Sequence, residues 1–295
     1  MLHFTILIWG FTGIIGKTLD LSGLNSNEVV FWRMLIGWIT LLIYLICIKK
    51  KLTVSRSTFF KLFGNGVLIA LHWYCFFEAI ALSNVSIALV FMSTTALFTS
   101  LVEPIVTKKK FIFKELITGV LVILGIIIIV NDLDYSTNPN HKIAIGLALT
   151  SALLAAFFSV INSVLVQKND SAIISLYELF GGFLVISIIF ISTDQIALNE
   201  LSLSLNQLFW LIILGTICTS FAFLIGVYVM KFIPAYTVNL SVNLEPIYAI
   251  LLAVLIFKKS EVMSLNFYLG AAIVVGSILL NAFFKKNKKK PRKVA

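Results

Sequence analysis

Apolar residues in this chain gather in long blocks, and the charges fall almost entirely in the gaps between them. A helix rises about 1.5 Å per residue, so a block of roughly 20 residues reaches across a hydrocarbon core ~30 Å thick. Ten such blocks run over 2–19, 28–48, 60–82, 85–107, 112–130, 143–166, 171–191, 207–230, 235–257 and 264–284. Runs such as Ile126-Ile127-Ile128-Ile129 and Leu251-Leu252-Ala253-Val254 lack the strict alternation of a transmembrane β-strand. The pattern predicts an all-α polytopic membrane protein of ten transmembrane helices.

Composition excludes a water-soluble domain. Of the 295 residues 60% are hydrophobic and 12% charged, where a soluble domain carries about 25% charged residues, and the mean hydropathy is +1.04. The first block lacks a basic leader, carries Gly10, Gly13 and Gly16 and ends at Lys17 without a cleavage site, so it reads as a retained helix. Cys47, Cys75 and Cys218 lie in three separate blocks and read as inert buried thiols. No HExxH, GxSxG, P-loop or GxGxxG occurs, so the sequence points to no metal, no cofactor and no enzyme activity.

Orientation follows from the basic residues. With a cytoplasmic N-terminus, the cytoplasmic gaps and the tail hold eighteen Lys and Arg, and the external gaps hold only Lys17, Lys142, Lys258 and Lys259. This bias places both termini in the cytoplasm. The net charge of +10 and pI near 9.5 are then explained by topology and anionic membrane lipids, and require no nucleic acid.

The longest polar gap divides the chain into a first five-helix repeat (1–131), an external linker (132–142), a second five-helix repeat (143–284) and a basic cytoplasmic tail (285–295) that reads as a membrane-surface anchor. Gly119 and Gly125 recur as Gly270 and Gly276 at an offset of 151. Lys108 and Lys109 recur as Lys258 and Lys259 at 150, and Gly66 as Gly215 at 149. Five is odd, so a duplicated second half must insert upside down, as two inverted repeats. Glu103-Pro104-Ile105 and Glu245-Pro246-Ile247 share a tripeptide but stand five and thirteen residues before their Lys turns, so they are not equivalent.

Ionisable groups inside a span are expensive and mark candidate sites. Glu245 lies near mid-depth, eleven residues beyond Pro234, and Pro246 beside it signals a helix break. Tyr236, Asn239 and Asn243 form a polar stripe leading to that break, either lining a cavity or bonding neighbouring helices. The third block carries His72, a candidate proton-coupling group, with Trp73 and Tyr74 as candidate substrate walls and Glu78 as a gate or charge partner. Arg33 in the second block is expected to pair within the bundle, with Glu78 as one candidate, and Glu178 belongs to a cavity or a structural pair. Ser93, Thr94, Thr95 and Thr99 make the fourth block rich in hydroxyls, by back-bonding or by cavity lining. Ala152, Ala155, Ala156 and Ser159 read as a close-packing face.

Ten blocks in two halves, Trp9-Gly10-Phe11, Arg33, Leu244-Glu245-Pro246-Ile247 and the Gly-x5-Gly spacings together resemble the EamA-type branch of the drug/metabolite transporter (DMT) superfamily. Two departures are Lys-rich turns where relatives have Gly-Glu and Thr94-Thr95 where Ser-Pro is usual. The resemblance implies a bacterial inner-membrane protein, a monomer or homodimer, with a central cavity built from helices 1, 3, 4, 6, 8 and 9. It implies a secondary transporter of a small-molecule substrate: an exporter of an amino acid, a nucleobase-like compound or a toxic metabolite, by alternating access, with proton coupling as an option. A passive channel and an intramembrane lipid-acting enzyme are the alternatives.

Overall fold

The computed structural model describes residues 1–108, 114–133, 138–192, 203–258 and 261–288. Lys109 and Lys110, Asp134, Asp194, Glu200, Lys259 and the tail from residue 289 lie outside the described residues, and with them most of both basic turns.

The described chain is helical throughout. Its elements are α1 (Leu2–Leu21), α2 (Ser26–Cys47), α3 (Arg56–Leu82), α4 (Val85–Met92), α5 (Thr95–Thr107), α6 (Lys114–Asp132), α7 (His141–Leu165) and α8 (Ser171–Ser192). The π-helical stretch Leu214–Phe221 then joins α9 (Leu205–Ile213) to α10 (Ala222–Val229), followed by α11 (Ala235–Val242), α12 (Glu245–Phe257) and α13 (Leu265–Lys288). Among the described residues, eight units are long and apolar enough to cross a membrane, counting α4–α5, α9–α10 and α11–α12 as one each. Two shorter apolar stretches, Leu121–Asp132 in α6 and Leu265–Ser277 in α13, add to them. Exposed Phe4, Ile43, Ile105, Ile188 and Leu255 form the outward surface that lipid would solvate.

Helix starts follow local chemistry. Asn25 and Glu28 form a capping box at α2, Ser204 and Gln207 form another at α9, and Ser55 and Asn84 cap α3 and α4. Two helices break at corresponding places. The chain interrupts α4–α5 at Ser93-Thr94 and α11–α12 at Asn243-Leu244, and each broken unit is an 8-residue helix followed by a 13-residue one. Lys108 and Lys258 close both units with positive φ, at 54° and 51°. Glu103 therefore falls within α5 whereas Glu245 opens α12, so the two Glu-Pro-Ile tripeptides occupy different positions.

Glycines set where the halves meet. A Cβ on Gly125 would lie 2.8 Å from the Gly270 carbonyl oxygen, and one on Gly270 would lie 2.8 Å from that of Gly125, so α6 and α13 cross backbone to backbone. Gly37 and Gly215 bring α2 against the π-helical stretch, and Gly66 and Gly182 bring α3 against α8. The sequence offset of 151 pairs Gly125 with Gly276, yet the contact pairs it with Gly270, because the crossing point selects partners by position in space. Cys75 and Cys218 are buried thiols as expected, whereas Cys47 is exposed at the end of α2.

Candidate functional site

The two helix breaks open one cavity of about 110 Å³ at the centre of the bundle. Side chains from α1, α2, α3, α4, α5, α7, α10, α11 and α12 line it. In the second half Asn243 and Leu244 form a tight turn, their amides donating to Leu240 and Ser241, before Pro246 near the start of α12, where the absent proline N–H costs nothing. In the first half no proline stands at the break. Hydroxyls turn back instead: Ser93 donates to Val90, Thr94 to Phe91 and Thr95 to Met92, at 2.6–2.7 Å. These bonds add to those of the Ser93 and Thr94 amides, which donate to Val90 and Phe91 as their counterparts do in the second half, and keep the carbonyls at the break satisfied in an apolar interior.

Arg33 enters from α2 and is 2% exposed. Its Nε donates to the Thr219 hydroxyl at 2.7 Å, and its guanidinium lies 3.7 Å from the centroid of the Trp73 ring. Thr219 sits in the π-helical stretch, where its hydroxyl also bonds the Leu214 carbonyl five residues back. The widened turn thus aims a polar side chain at the arginine, a frequent use of π geometry at functional sites. Arg33 Nη1 has no partner. The expected pairing with Glu78 is not formed, since the ion pairs among the described residues are Lys17–Asp20 and Lys50–Asp170.

Glu245, half-buried, faces the same cavity, as do Asn239, Asn243, His72, Trp73 and Pro246. Asn239 is fully engaged: its Nδ2 donates to Thr99 at 2.8 Å, and its Oδ1 accepts from Ser159 at 3.2 Å. Asn243 is 1% exposed, and its Nδ2 has no partner. His72 Nδ1 lies 2.9 Å from the Ser151 carbonyl and 2.8 Å from its hydroxyl, which fastens the ring to α7. Phe158 and Phe223 complete an aromatic wall with His72 and Trp73, at centroid separations of 5.2–6.4 Å.

Four expected residues stand elsewhere. Tyr236 is buried in the main apolar core, Tyr74 packs against that core from outside the cavity, and Glu78 is half-buried away from the lining. Glu178 is 0% exposed and lies behind the wall. Its carboxylate accepts from Asn65 at 2.7 Å and from Asn162 at 3.1 Å, and Asn162 itself lines the cavity. Ser159 was legible only as part of a small-residue face, and Asn162 was not singled out from the sequence. Their spacing of three residues puts both on one face of α7 and is the signal the sequence offered.

A sequence model of the EamA-like transporter family matches residues 1–131 and, a second time, residues 142–283. The chain belongs to the EamA-like transporter family. This EamA-like chain is 29% identical over 164 residues to the Pseudopaline exporter CntI of Pseudomonas aeruginosa in two strains. The matched stretch is 56% of this chain and 54% of the relative, so the chain spans about half the length of the curated relatives it matches. A solved crystal structure, described only as that of a protein, superposes with a TM-score of 0.72 over 98% of both chains at 13% identity, a likeness of fold alone. The double match agrees with two repeats whose helices break at the same places.

Proposed function

We propose that this protein is a secondary transporter that exports a small metabolite by alternating access across a bacterial inner membrane. In this reading ten helices form two inverted five-helix repeats with both termini cytoplasmic, and the halves rock about the central cavity. The observation that carries it is that cavity: it lies where both broken helices meet and holds Arg33 and Glu245 without an ion pair between them. A channel needs no such pair of opposed charges, and among the described residues the hydroxyl beside His72, that of Ser151, stands behind the lining and not in the cavity where an enzyme's nucleophile would be. The exporter among the relatives supports outward flux.

Glu245 binds substrate or proton, Asn239, Asn243, His72 and Trp73 shape the path, and Arg33 fixes one end of the substrate. Tyr236 and Tyr74 support the walls from behind, and Glu178 acts on the cavity through Asn162. The transporter works as a monomer or a homodimer. The test is counterflow in proteoliposomes loaded with unlabelled amino acids and nucleobase compounds. One labelled class should accumulate in wild-type vesicles and not in Glu245→Gln vesicles. Flux without counterflow would favour the channel, and a rate indifferent to both an imposed pH gradient and Glu245→Gln would remove proton coupling.

A further inference from the structure

The two broken units match in length, yet their leading ends are built differently. Val85 opens α4 and Ala235 opens α11, at an offset of 150 that agrees with those relating the halves. At α4 the carboxylate of Glu261, on the connection between α12 and α13, accepts from the backbone N–H of Val85 and Ser86 and from the Ser86 hydroxyl, at 2.8–3.0 Å. Asn84 caps the same helix through the Ile87 N–H and lays its Nδ2 3.4 Å from the Met263 sulfur, a second tie to that connection. Glu261 and Ser86 are both 0% exposed. Charge-assisted bonds to the positive end of a helix are strong ones, and these join the second half to the first. At α11 the N-cap is Pro234, which makes no side-chain cap bond. In the sequence, offsets of 150 and 151 put Phe111 and Lys110 where Glu261 stands, and neither carries a carboxylate.

We infer that Glu261 is the latch of an external gate: its carboxylate holds α4 to the second half while the cavity is closed to the outside, and releases α4 when the halves rock outward. The latch rests on the transport reading, whose inverted halves put the first turn of α4 at the external face and that of α11 at the cytoplasmic face. Leu89, one turn further along α4, lines the cavity, so the clasp stands next to it on the external side. Glu261 itself is not a lining residue and acts through α4, as a positioning residue. Breaking the clasp strands a buried carboxylate until water reaches it, which is costly. No carboxylate occupies the matching place in the first half, so the two ends do not open with equal ease. The resting protein therefore favours the state closed outside and open to the cytoplasm. For an exporter that is the state that loads substrate.

The test is sided thiol labelling in membranes. In a full-length chain whose three cysteines are replaced by serine, Leu89→Cys reports access to the cavity, and a membrane-impermeant maleimide is offered to spheroplasts or to inside-out vesicles. This parent chain should label mainly from the cytoplasmic side. Adding Glu261→Gln should raise the external rate at least about fivefold, through the loss of hydrogen bonds to a charge, and lower the cytoplasmic rate. Ser86→Ala should shift both rates the same way, more weakly, and serves alone should Glu261→Gln fail to insert. A cap with a merely structural role would loosen the bundle and raise both rates together. That result overturns the latch, as do rates that neither variant moves, and both leave the transport reading standing. A parent chain that labels equally from both sides counts against the latch and the transport reading alike, because a channel is open to both faces at once.

Discussion

A hydrogen atom in place of a methyl group decides how closely α3 and α8 approach. A Cβ on Gly66 would overlap the Glu178 carbonyl oxygen and come within 3.0 Å of the Gly182 amide, whereas one on Gly64 would meet nothing within 4 Å. Gly66→Ala should therefore destabilise by about 1–3 kcal/mol through overpacking. Gly64→Ala should be neutral or stabilising by up to about 1 kcal/mol through helix propensity. Thermal unfolding of the detergent-solubilised protein separates the two, and equal midpoints would refute the contact. Charged residues were the most legible at this scale, because a carboxylate or guanidinium in an apolar run is expensive and stands out. Glu245 and Arg33 were visible in this way. Ser159 and Asn162 were not, since small polar side chains occur on packing faces and cavity walls alike, and Tyr74 and Tyr236 looked similar to true lining residues because their orientation depends on neighbours.

Helical elements here are defined as much by their ends as by their apolar faces. Glu261, on the connection between α12 and α13, is 0% exposed and caps a helix in the other half. Its carboxylate accepts from the backbone N–H of Val85 at 2.9 Å and of Ser86 at 3.0 Å, and from the Ser86 hydroxyl at 2.8 Å. The anion thereby meets the positive end of α4. Glu261→Gln keeps the shape and removes the charge, and should cost about 1.5–3 kcal/mol, the worth of a hydrogen bond to a charged group. Ser86→Ala, losing one donor of three, should cost less, and the reverse order of unfolding midpoints would contradict the cap. The sequence exposed the α11–α12 break through Pro246 but concealed the α4–α5 break, where hydroxyls do the same work without a proline. The π-helical turn was not read from the sequence: its Thr219 and Ser220 hydroxyls bond carbonyls five residues back, but they also meet Arg33 and Gly37 on α2, which only the packing brings there.

At the scale of the molecule, contacts between halves tie both ends of the bundle. At the end where α2 leads into α3, Lys50 pairs with Asp170 at 2.7 Å and the Tyr177 hydroxyl donates to the Leu52 carbonyl at 2.8 Å. At the other end Gln207 donates to the Ser22 carbonyl at 2.9 Å. Partial burial alone would raise the Asp170 carboxyl. The Lys50 ammonium and the amides of Ala172 and Ile173 outweigh it and hold the group below its ordinary value of 3.8. A lowered folded-state value means that this stabilisation is complete above the ordinary value and fades as pH falls below it, through the folded-state value. Both side chains are more than a third exposed, so screening keeps the pair weak. Asp170→Asn at pH 7 should cost at most about 1 kcal/mol, and the difference should shrink at ~1 M salt, where the Debye length is about 3 Å. A cost that persists in high salt would assign it to the amide contacts instead.

The sequence by itself determined the solvent of this protein, its helical class, the division into halves and the few charges that lipid would not tolerate. Those properties follow from the spacing and chemistry of residues along one dimension, and each block carries enough of the signal to be read alone. Only the tertiary structure decided which polar groups share the cavity, that Arg33 answers to Thr219 and Trp73 rather than to Glu78, and that Gly125 meets Gly270. Such pairings depend on the rotation and crossing of each helix against its neighbours. Close packing settles these for all helices at once, because two backbones approach only where both present a glycine or a small residue at the same point.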